Sequence, residues 1–150
     1  MWKSIVCGVD SRPGGGEALR LAARLAREQS AALVLLHVEA ASEEAPLAPP
    51  LARAGPPRRV DAAHWAELAS DLRGEPVRLE TAIGDPADGI VGFARKSGCD
   101  IIVIGSHAHS RATLALTSVV GKLIAHAPCP VIVVPSGMED LQSDFPGQVA

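Results

Sequence analysis

The chain is a succession of short apolar runs separated by amphipathic segments. Apolar runs of strand length, rich in Val, Ile and Leu, occupy residues 3–9, 32–38, 100–105 and 131–134. Continuous apolar runs, unlike alternating ones, are typical of strands covered on both faces of a parallel sheet. Residues 76–83 instead alternate apolar and polar side chains, which predicts a half-exposed strand near a sheet edge.

Helical periodicity fills the spaces between these runs. After Gly16, apolar side chains recur three and four residues apart and arginines take the opposite face, which predicts an amphipathic helix. The same spacing predicts a second helix near residues 60–72. A third helix is predicted from Asp85 as its cap, Pro86 in its first turn and Gly98 at its end.

The remaining segments are set apart by proline, glycine and charge. Residues 118–127 predict a short helix that ends before Pro128. The proline-rich residues 40–59 predict a solvated connector, and a lid over a ligand site is the alternative interpretation. Residues 136–150 are acidic and contain Gly and Pro, so we expect a poorly ordered tail after a single domain over residues 1–135.

This alternation of strands and helices predicts an α/β fold. Right-handed crossovers would build a doubly wound, five-stranded parallel sheet with helices on both faces. Five strands fit the order 3-2-1-4-5, which places the loops after the first and fourth strands side by side. Ligands commonly bind where the winding direction reverses in this way. Asp10 and Gly105 end these two strands, so we expect them to share one cleft.

Composition and charge argue against nucleic acid and membranes as partners. Of the 150 residues, 47% are hydrophobic and only 3% aromatic, so aliphatic side chains must build the core. Fourteen basic residues against 17 acidic ones leave no broad positive surface for nucleic acid or an anionic membrane, and we expect neither as a partner. The apolar runs are too short for a signal peptide or a membrane span, which favours a cytoplasmic location.

Three cysteines, Cys7, Cys99 and Cys129, form an odd set without CxxC spacing. Each lies in an apolar run, where free cysteine behaves as a small hydrophobic side chain. They are predicted to be free thiols in a reducing compartment, and metal ligation or redox chemistry is the less favoured alternative.

Histidines and hydroxyls give no catalytic arrangement. His107 and His109 stand two residues apart in a loop without an obvious third ligand, so no metal site is predicted. His37 lies within an apolar strand and is interpreted as a hydrogen-bonded core histidine. No Ser-His-Asp order, carboxylate pair or nucleophile elbow can be assembled, so the sequence does not predict an enzyme.

Three separate segments form a specific combination of motifs. They are Ile-Val-Cys-Gly-Val-Asp at residues 5–10, Gly-Asp-Pro-Ala-Asp-Gly-Ile at 84–90, and residues 100–134 with their His-Ala-Pro-Cys-Pro-Val motif. Together they resemble the universal stress protein family. The resemblance covers nearly residues 2–135. It implies a Rossmann-like five-stranded parallel sheet and, in one branch of the family, ATP or AMP bound where the winding reverses. Mg would be needed only with ATP.

The resemblance also implies a homodimer through the last strand. Family members usually form a homodimer through this strand, which here runs from Val131 to Val134. An apolar edge strand left bare also invites association, so the residues themselves point the same way. We therefore expect a homodimer.

The phosphate-binding pattern of ATP-binding members is incomplete in this chain. That pattern follows the fourth strand and reads Gly, two residues, Gly, nine residues, then Gly with Ser or Thr. Gly105 matches the first glycine, Ala108 stands at the second and Thr117 at the third, with one residue fewer between them. A Cβ at positions that need positive φ or close approach to phosphate weakens binding.

Residue by residue, the resemblance still assigns a nucleotide site. Asp10 would contact the nucleoside and Val38 the base, while the other matching positions would lie on the phosphate side. The cofactor-binding candidates are Asp10, Val38, Gly105, His107, Ser118 and Val119.

Simpler interpretations stand beside these roles. Asp10 also fits a loop-capping carboxylate, and Ser118 and Asp85 also fit plain helix caps. Three functional hypotheses remain: a regulatory homodimer with weak adenine-nucleotide binding, an interaction module of the same fold without nucleotide, and, least favoured, a nucleotide-hydrolysing enzyme.

Overall fold

The structure is a computed structural model that describes residues 1–9, 16–39, 72, 77–106 and 118–135. These residues form five strands and three helices, in the order β1 (Ser4–Val9), α1 (Gly16–Gln29), β2 (Ala32–Glu39), β3 (Val77–Ile83), α2 (Pro86–Ser97), β4 (Ile101–Ser106), α3 (Val119–His126) and β5 (Val131–Pro135). Each element lies within one or two residues of its predicted bounds, because turn and capping residues delimit it locally.

Three predicted segments lie outside the described residues: the connector at 40–59, the tail at 136–150 and nearly all of the helix near 60–72. Leu72 is the exception. It is only 5% exposed and belongs to the hydrophobic cluster that includes α1.

The five strands form one parallel sheet in the order β3-β2-β1-β4-β5. Gly8, in the central strand β1, pairs with Leu36 of β2 on one side and Ile104 of β4 on the other. The predicted order 3-2-1-4-5 is confirmed. Because β1 and β4 are neighbours, the chain reverses its winding direction between them.

Two hydrophobic layers cover the sheet, one on each face. Ile5 and Cys7 of β1 face α1, and the intervening Val6 faces α2 and α3. This alternation explains the continuous apolar runs: in β1, β2 and β4 successive side chains enter opposite cores. The predicted placement of helices on both faces is confirmed.

The two edge strands differ in exposure. Leu79 and Ile83 of β3 are each 57% exposed, in agreement with the predicted half-exposed strand. β5 forms the other edge, where the Ile102 N–H donates to the Pro130 carbonyl at 3.0 Å. Its Val131, Ile132 and Val133 are half-buried.

Helix α2 ends in the predicted glycine, whereas the residue that follows α1 is a serine. Gly98 closes α2 in the left-handed conformation at φ 62°, as its place in the sequence indicated. Ser30 follows α1 and adopts φ 53°, a conformation that favours glycine. The Ala31 N–H then donates to the Ala26 carbonyl at 2.8 Å, so a hydrogen bond holds this turn.

Candidate functional site

The carboxyl ends of the parallel strands meet at one edge of the sheet. β1 leaves the sheet at Val9, and β4 leaves it just beyond Gly105. The pairing of Gly8 with Ile104 places these two exits next to each other. We call this the switch-point edge, and Val9, Val38, Gly105 and Ser118 mark it. It is the place where doubly wound sheets bind ligands.

The end of β2 contributes two side chains that point to opposite faces. Val38 lies against Gly89 of α2 so closely that a Cβ on that glycine would be 2.9 Å from the Val38 methyl carbons. His37 points to the other face, and its Nδ1 lies 3.0 Å from the Val9 carbonyl oxygen. A carbonyl only accepts, so Nδ1 carries the proton and Nε2 keeps its lone pair in the neutral ring. The interpretation of His37 as a hydrogen-bonded histidine is confirmed, although the side chain is half-buried rather than in the core.

Two helices begin at the switch-point edge, each with a side-chain cap. The Asp85 carboxylate accepts the N–H groups of Ala87 and Asp88 at 3.0 and 3.1 Å. The Ser118 hydroxyl accepts the Gly121 N–H at 3.0 Å. Both cap predictions are confirmed. Because Ser118 uses only a lone pair of its oxygen, its O–H remains able to donate.

An ion pair connects the two helix starts. Lys122 Nζ donates to Asp85 Oδ2 at 2.8 Å, although the residues are 37 positions apart. The hydrogen bond from Lys122 and those from the α2 backbone hold the pKa of Asp85 below its usual range. The same bond to Asp85 raises the pKa of Lys122. Both groups therefore stay charged around neutral pH.

The remaining described candidates are Gly105 and Val119. Gly105 pairs with Val134 of β5 and is half-buried. Val119 is the first residue of α3 and is 38% exposed. Asp10 and His107 lie outside the described residues, so their assigned roles stay predictions.

The helix starts at this edge offer donors to an anion. Backbone N–H groups in the first turn of a helix attract anions through hydrogen bonding and the helix dipole. Within residues 1–9, 16–39, 72, 77–106 and 118–135, no group of three or more His, Cys, Asp or Glu could hold a metal ion.

Sequence reasoning missed contacts between distant residues, two of which lie at opposite ends of the sheet. One is the Lys122 to Asp85 ion pair. The other lies at the opposite, amino end of the sheet, where Asp100 Oδ2 accepts the N–H groups of Lys3 and Ser4 at 2.6 and 2.9 Å. Neither has a local sequence signal, since the partners are distant in the chain. Only the strand order, applied residue by residue, would have suggested them.

Comparison with known proteins agrees with this architecture. The family model described as "Universal stress protein family" matches residues 1–135. The chain belongs to the universal stress protein family. The resemblance carried by three segments of the sequence is confirmed by a match over most of the chain.

Solved universal stress proteins share the fold. One in complex with cAMP is 19% identical, with a TM-score of 0.69, over 91% of this chain and 98% of that one. One from Archaeoglobus fulgidus is 26% identical, with a TM-score of 0.63, over 89% of this chain and 99% of that one. A universal stress protein from Archaeoglobus fulgidus in complex with dAMP is 24% identical, with a TM-score of 0.55, over 89% and 98%.

Helix length bears on membrane insertion. None of the helices in the described part of this family member is long and apolar enough to cross a bilayer.

Proposed function

We propose that this universal stress protein is a regulatory module that binds an adenine nucleotide, ATP or AMP, at the switch-point edge. The observation that carries the proposal is the strand order, because it sets the exits of β1 and β4 side by side. Related structures bound to cAMP and dAMP support adenine as the base. Binding, rather than catalysis, is the proposed activity, and the cytoplasm is the proposed location.

Roles within the site follow the order of the elements along this edge. Asp10 and Val38 form the nucleoside side, after β1 and near the end of β2. Gly105 and Ser118, with His107 and Val119, form the phosphate side. The Ser118 O–H and the first N–H groups of α3 are the donors that an anionic phosphate requires. Mg accompanies the nucleotide only if the ligand is ATP.

The incomplete glycine pattern lowers the expected affinity for the nucleotide. Ala108 and Thr117 place a Cβ where nucleotide-binding members have glycine. Strain at a position needing positive φ costs about 1 kcal/mol, and a lost backbone donor costs about as much again. Since about 1.4 kcal/mol is a tenfold change in affinity, two such positions move a micromolar site toward the millimolar range.

Calorimetric titration with Mg-ATP and with AMP tests the site. We expect a Kd on the order of a millimolar for the unchanged protein. Asp10→Ala should weaken binding further, since it removes a nucleoside contact. The double variant Ala108→Gly with Thr117→Gly should tighten binding at least tenfold, because both Cβ atoms are removed. Ala115→Gly is the matched control, with the same chemical change in the same segment and no expected gain.

Two results would contradict nucleotide binding. One is the absence of any heat with millimolar nucleotide in both the unchanged protein and the double glycine variant. The other is equal affinity in the Asp10→Ala variant. Phosphate release over hours, measured in the same samples, would show that the protein hydrolyses the nucleotide and is an enzyme.

A second candidate function is a homodimeric interaction module of the same fold without nucleotide. The replacement of two pattern glycines, by Ala108 and Thr117, favours it. In both candidates the homodimer forms through the strand from Val131 to Val134, with no role for nucleic acid or membrane. Extraction of the purified protein, with identification of any released small molecule, separates the two. A released adenine nucleotide contradicts the second candidate.

A further inference from the structure

Two cysteines meet at the amino end of the sheet, away from the switch-point edge. The Sγ atoms of Cys99 and Cys129 are 3.6 Å apart, although the residues are separated by 30 positions. Both are free thiols, Cys99 buried and Cys129 partly exposed. We propose that they form a redox pair, which a hydroperoxide closes to an intrachain disulfide.

The fold brings these cysteines together through two neighbouring strands. Cys99 lies between the end of α2 and the start of β4, and Cys129 lies just before β5. Ile102 pairs with Val131, so the segments that enter β4 and β5 run side by side. The contact is therefore built into the sheet and does not depend on a loose terminus.

Closing the disulfide requires only a small movement. An S–S bond is about 2.05 Å long, so the two sulfur atoms would have to approach by about 1.6 Å. Pro128 and Pro130 restrict the backbone on both sides of Cys129. Cys99 follows Gly98, whose backbone tolerates a wide range of conformations, so the adjustment falls on that side.

Burial assigns the order of the two chemical steps. Desolvation raises the pKa of Cys99 to about 12, so this thiol stays protonated and shielded from oxidant. The more exposed Cys129 reacts first. Its thiol loses a proton to water, and the thiolate attacks the peroxide oxygen, so that the O–O bond breaks and a sulfenic acid forms. The leaving hydroxide or alkoxide takes up a proton and becomes water or an alcohol. The Cys99 sulfur then attacks the sulfenic sulfur, and its proton leaves with the hydroxide as water.

The two reaction steps together balance in atoms and electrons. The two thiols lose two hydrogens to form one S–S bond, and the hydroperoxide is reduced to two waters, or to water and an alcohol. A small thiol reverses the reaction by thiol-disulfide exchange. No other oxidant or cofactor is required.

Cys7 provides an internal control. It is fully buried in the central strand and belongs to the hydrophobic layer on the α1 face. Cys99 and Cys129 belong to the layer on the opposite face, so the sheet separates Cys7 from both. Oxidation that follows the proposed geometry therefore leaves Cys7 reduced.

The experiment treats the reduced, full-length protein with hydrogen peroxide and then alkylates it in denaturant. Intact mass should show the loss of two hydrogens and one alkylated thiol, and peptide mapping should show Cys99 joined to Cys129. Closure should raise Tm by roughly 5–10 °C, because the cross-link constrains the unfolded chain. If the oxidised protein is reduced before alkylation, all three cysteines should be alkylated.

Substitutions at each of the three cysteines make the test specific. Cys7→Ala should close as the unchanged protein does. Cys129→Ser should remain reduced, and its partly exposed position makes the substitution easy to accommodate. Cys99→Ser should stall with a sulfenic acid at position 129, which dimedone traps. Cys99→Ala serves the same purpose if the buried serine disturbs folding.

Three results would overturn the redox pair. They are three alkylated thiols after peroxide treatment, a disulfide found only between chains, and equal oxidation in the Cys129→Ser variant. Each can be read from mass spectra of the same samples.

Discussion

At the scale of single residues, two aspartates accept backbone N–H groups at opposite ends of the sheet. Asp85 caps α2 at the switch-point edge and pairs with Lys122. Asp100 accepts the N–H groups of Lys3 and Ser4, and so anchors the start of β1 beside the start of β4. Both carboxylates accept these bonds most strongly when ionised, which is why the pKa of each lies below its usual value.

Asp100→Ala should lower Tm near neutral pH by an amount that shrinks in acid. Hydrogen bonds from the Lys3 and Ser4 backbone lower the pKa of Asp100 in the folded protein. A lowered folded pKa means that the stabilisation is present above the unfolded pKa, about 3.9, and is lost as pH falls through the folded value. Thermal unfolding of both proteins at several pH values between about 3 and 7 measures the difference.

Asp100→Asn is the matched control for that experiment. Asparagine keeps an acceptor oxygen but does not titrate, so its Tm near neutral pH should lie between those of the other two proteins. A Tm deficit of Asp100→Ala that stays constant from neutral to acid pH would rule out the ionised carboxylate as the source.

At the scale of the elements, the packing of α2 on the sheet depends on one small residue. Gly89 faces Val38 near the end of β2, and a Cβ there would be 2.9 Å from two Val38 carbons. Val38 is short and β-branched, so it has little room to move aside. The close approach of α2 therefore sets the position of Val38 at the switch-point edge.

Gly89→Ala should destabilise the fold by about 1–3 kcal/mol, the usual cost of overpacking. Gly92 lies in the same helix, and a Cβ at that position would have no side chain of the described residues within 4 Å. Gly92→Ala should therefore stabilise by about 0.5–1 kcal/mol through helix propensity alone. Urea unfolding measures both changes. Equal effects of the two substitutions would show that the contact with Val38 does not limit the packing.

At the scale of the whole molecule, β5 is an edge strand, and no strand of the described residues pairs with its outer side. The Pro130 carbonyl accepts the Ile102 N–H, so the backbone of Pro130 is directed toward β4. Backbone direction repeats every two residues in a strand, so the N–H and C=O groups of Ile132 are also directed toward β4. Val131 and Val133 then direct their N–H and C=O groups away from the sheet. An apolar strand with this outward ladder favours pairing with a second copy.

Val133→Pro should convert the proposed homodimer to a monomer. Proline removes an outward N–H and leaves the pairing with β4 intact, as is usual for proline on edge strands. Light scattering after size exclusion should give twice the chain mass of 15.5 kDa for the unchanged protein. Val133→Ala keeps the N–H and should stay dimeric. A monomeric unchanged protein would refute assembly through this strand.

Local sequence signals determined most of the architecture. Continuous apolar runs indicated buried parallel strands, and the Asp85 and Gly98 caps bounded α2. The alternation of elements fitted the strand order 3-2-1-4-5, but right-handed crossovers also permit other doubly wound orders, so the sheet itself decided the order. The apolar runs and the caps depend on residues within a few positions of each other, so the sequence displays them directly. The nucleotide roles of Asp10 and His107 remain predictions from the family resemblance.

Tertiary structure alone decided which distant side chains meet. Asp85 contacts Lys122 because α2 packs beside α3. Cys99 contacts Cys129 because β4 pairs with β5. Periodicity tells which face of an element is buried but carries no information on the side chain that arrives from another element. Such pairs depend on register and on distances of a few tenths of an ångström, which only the packed chain provides.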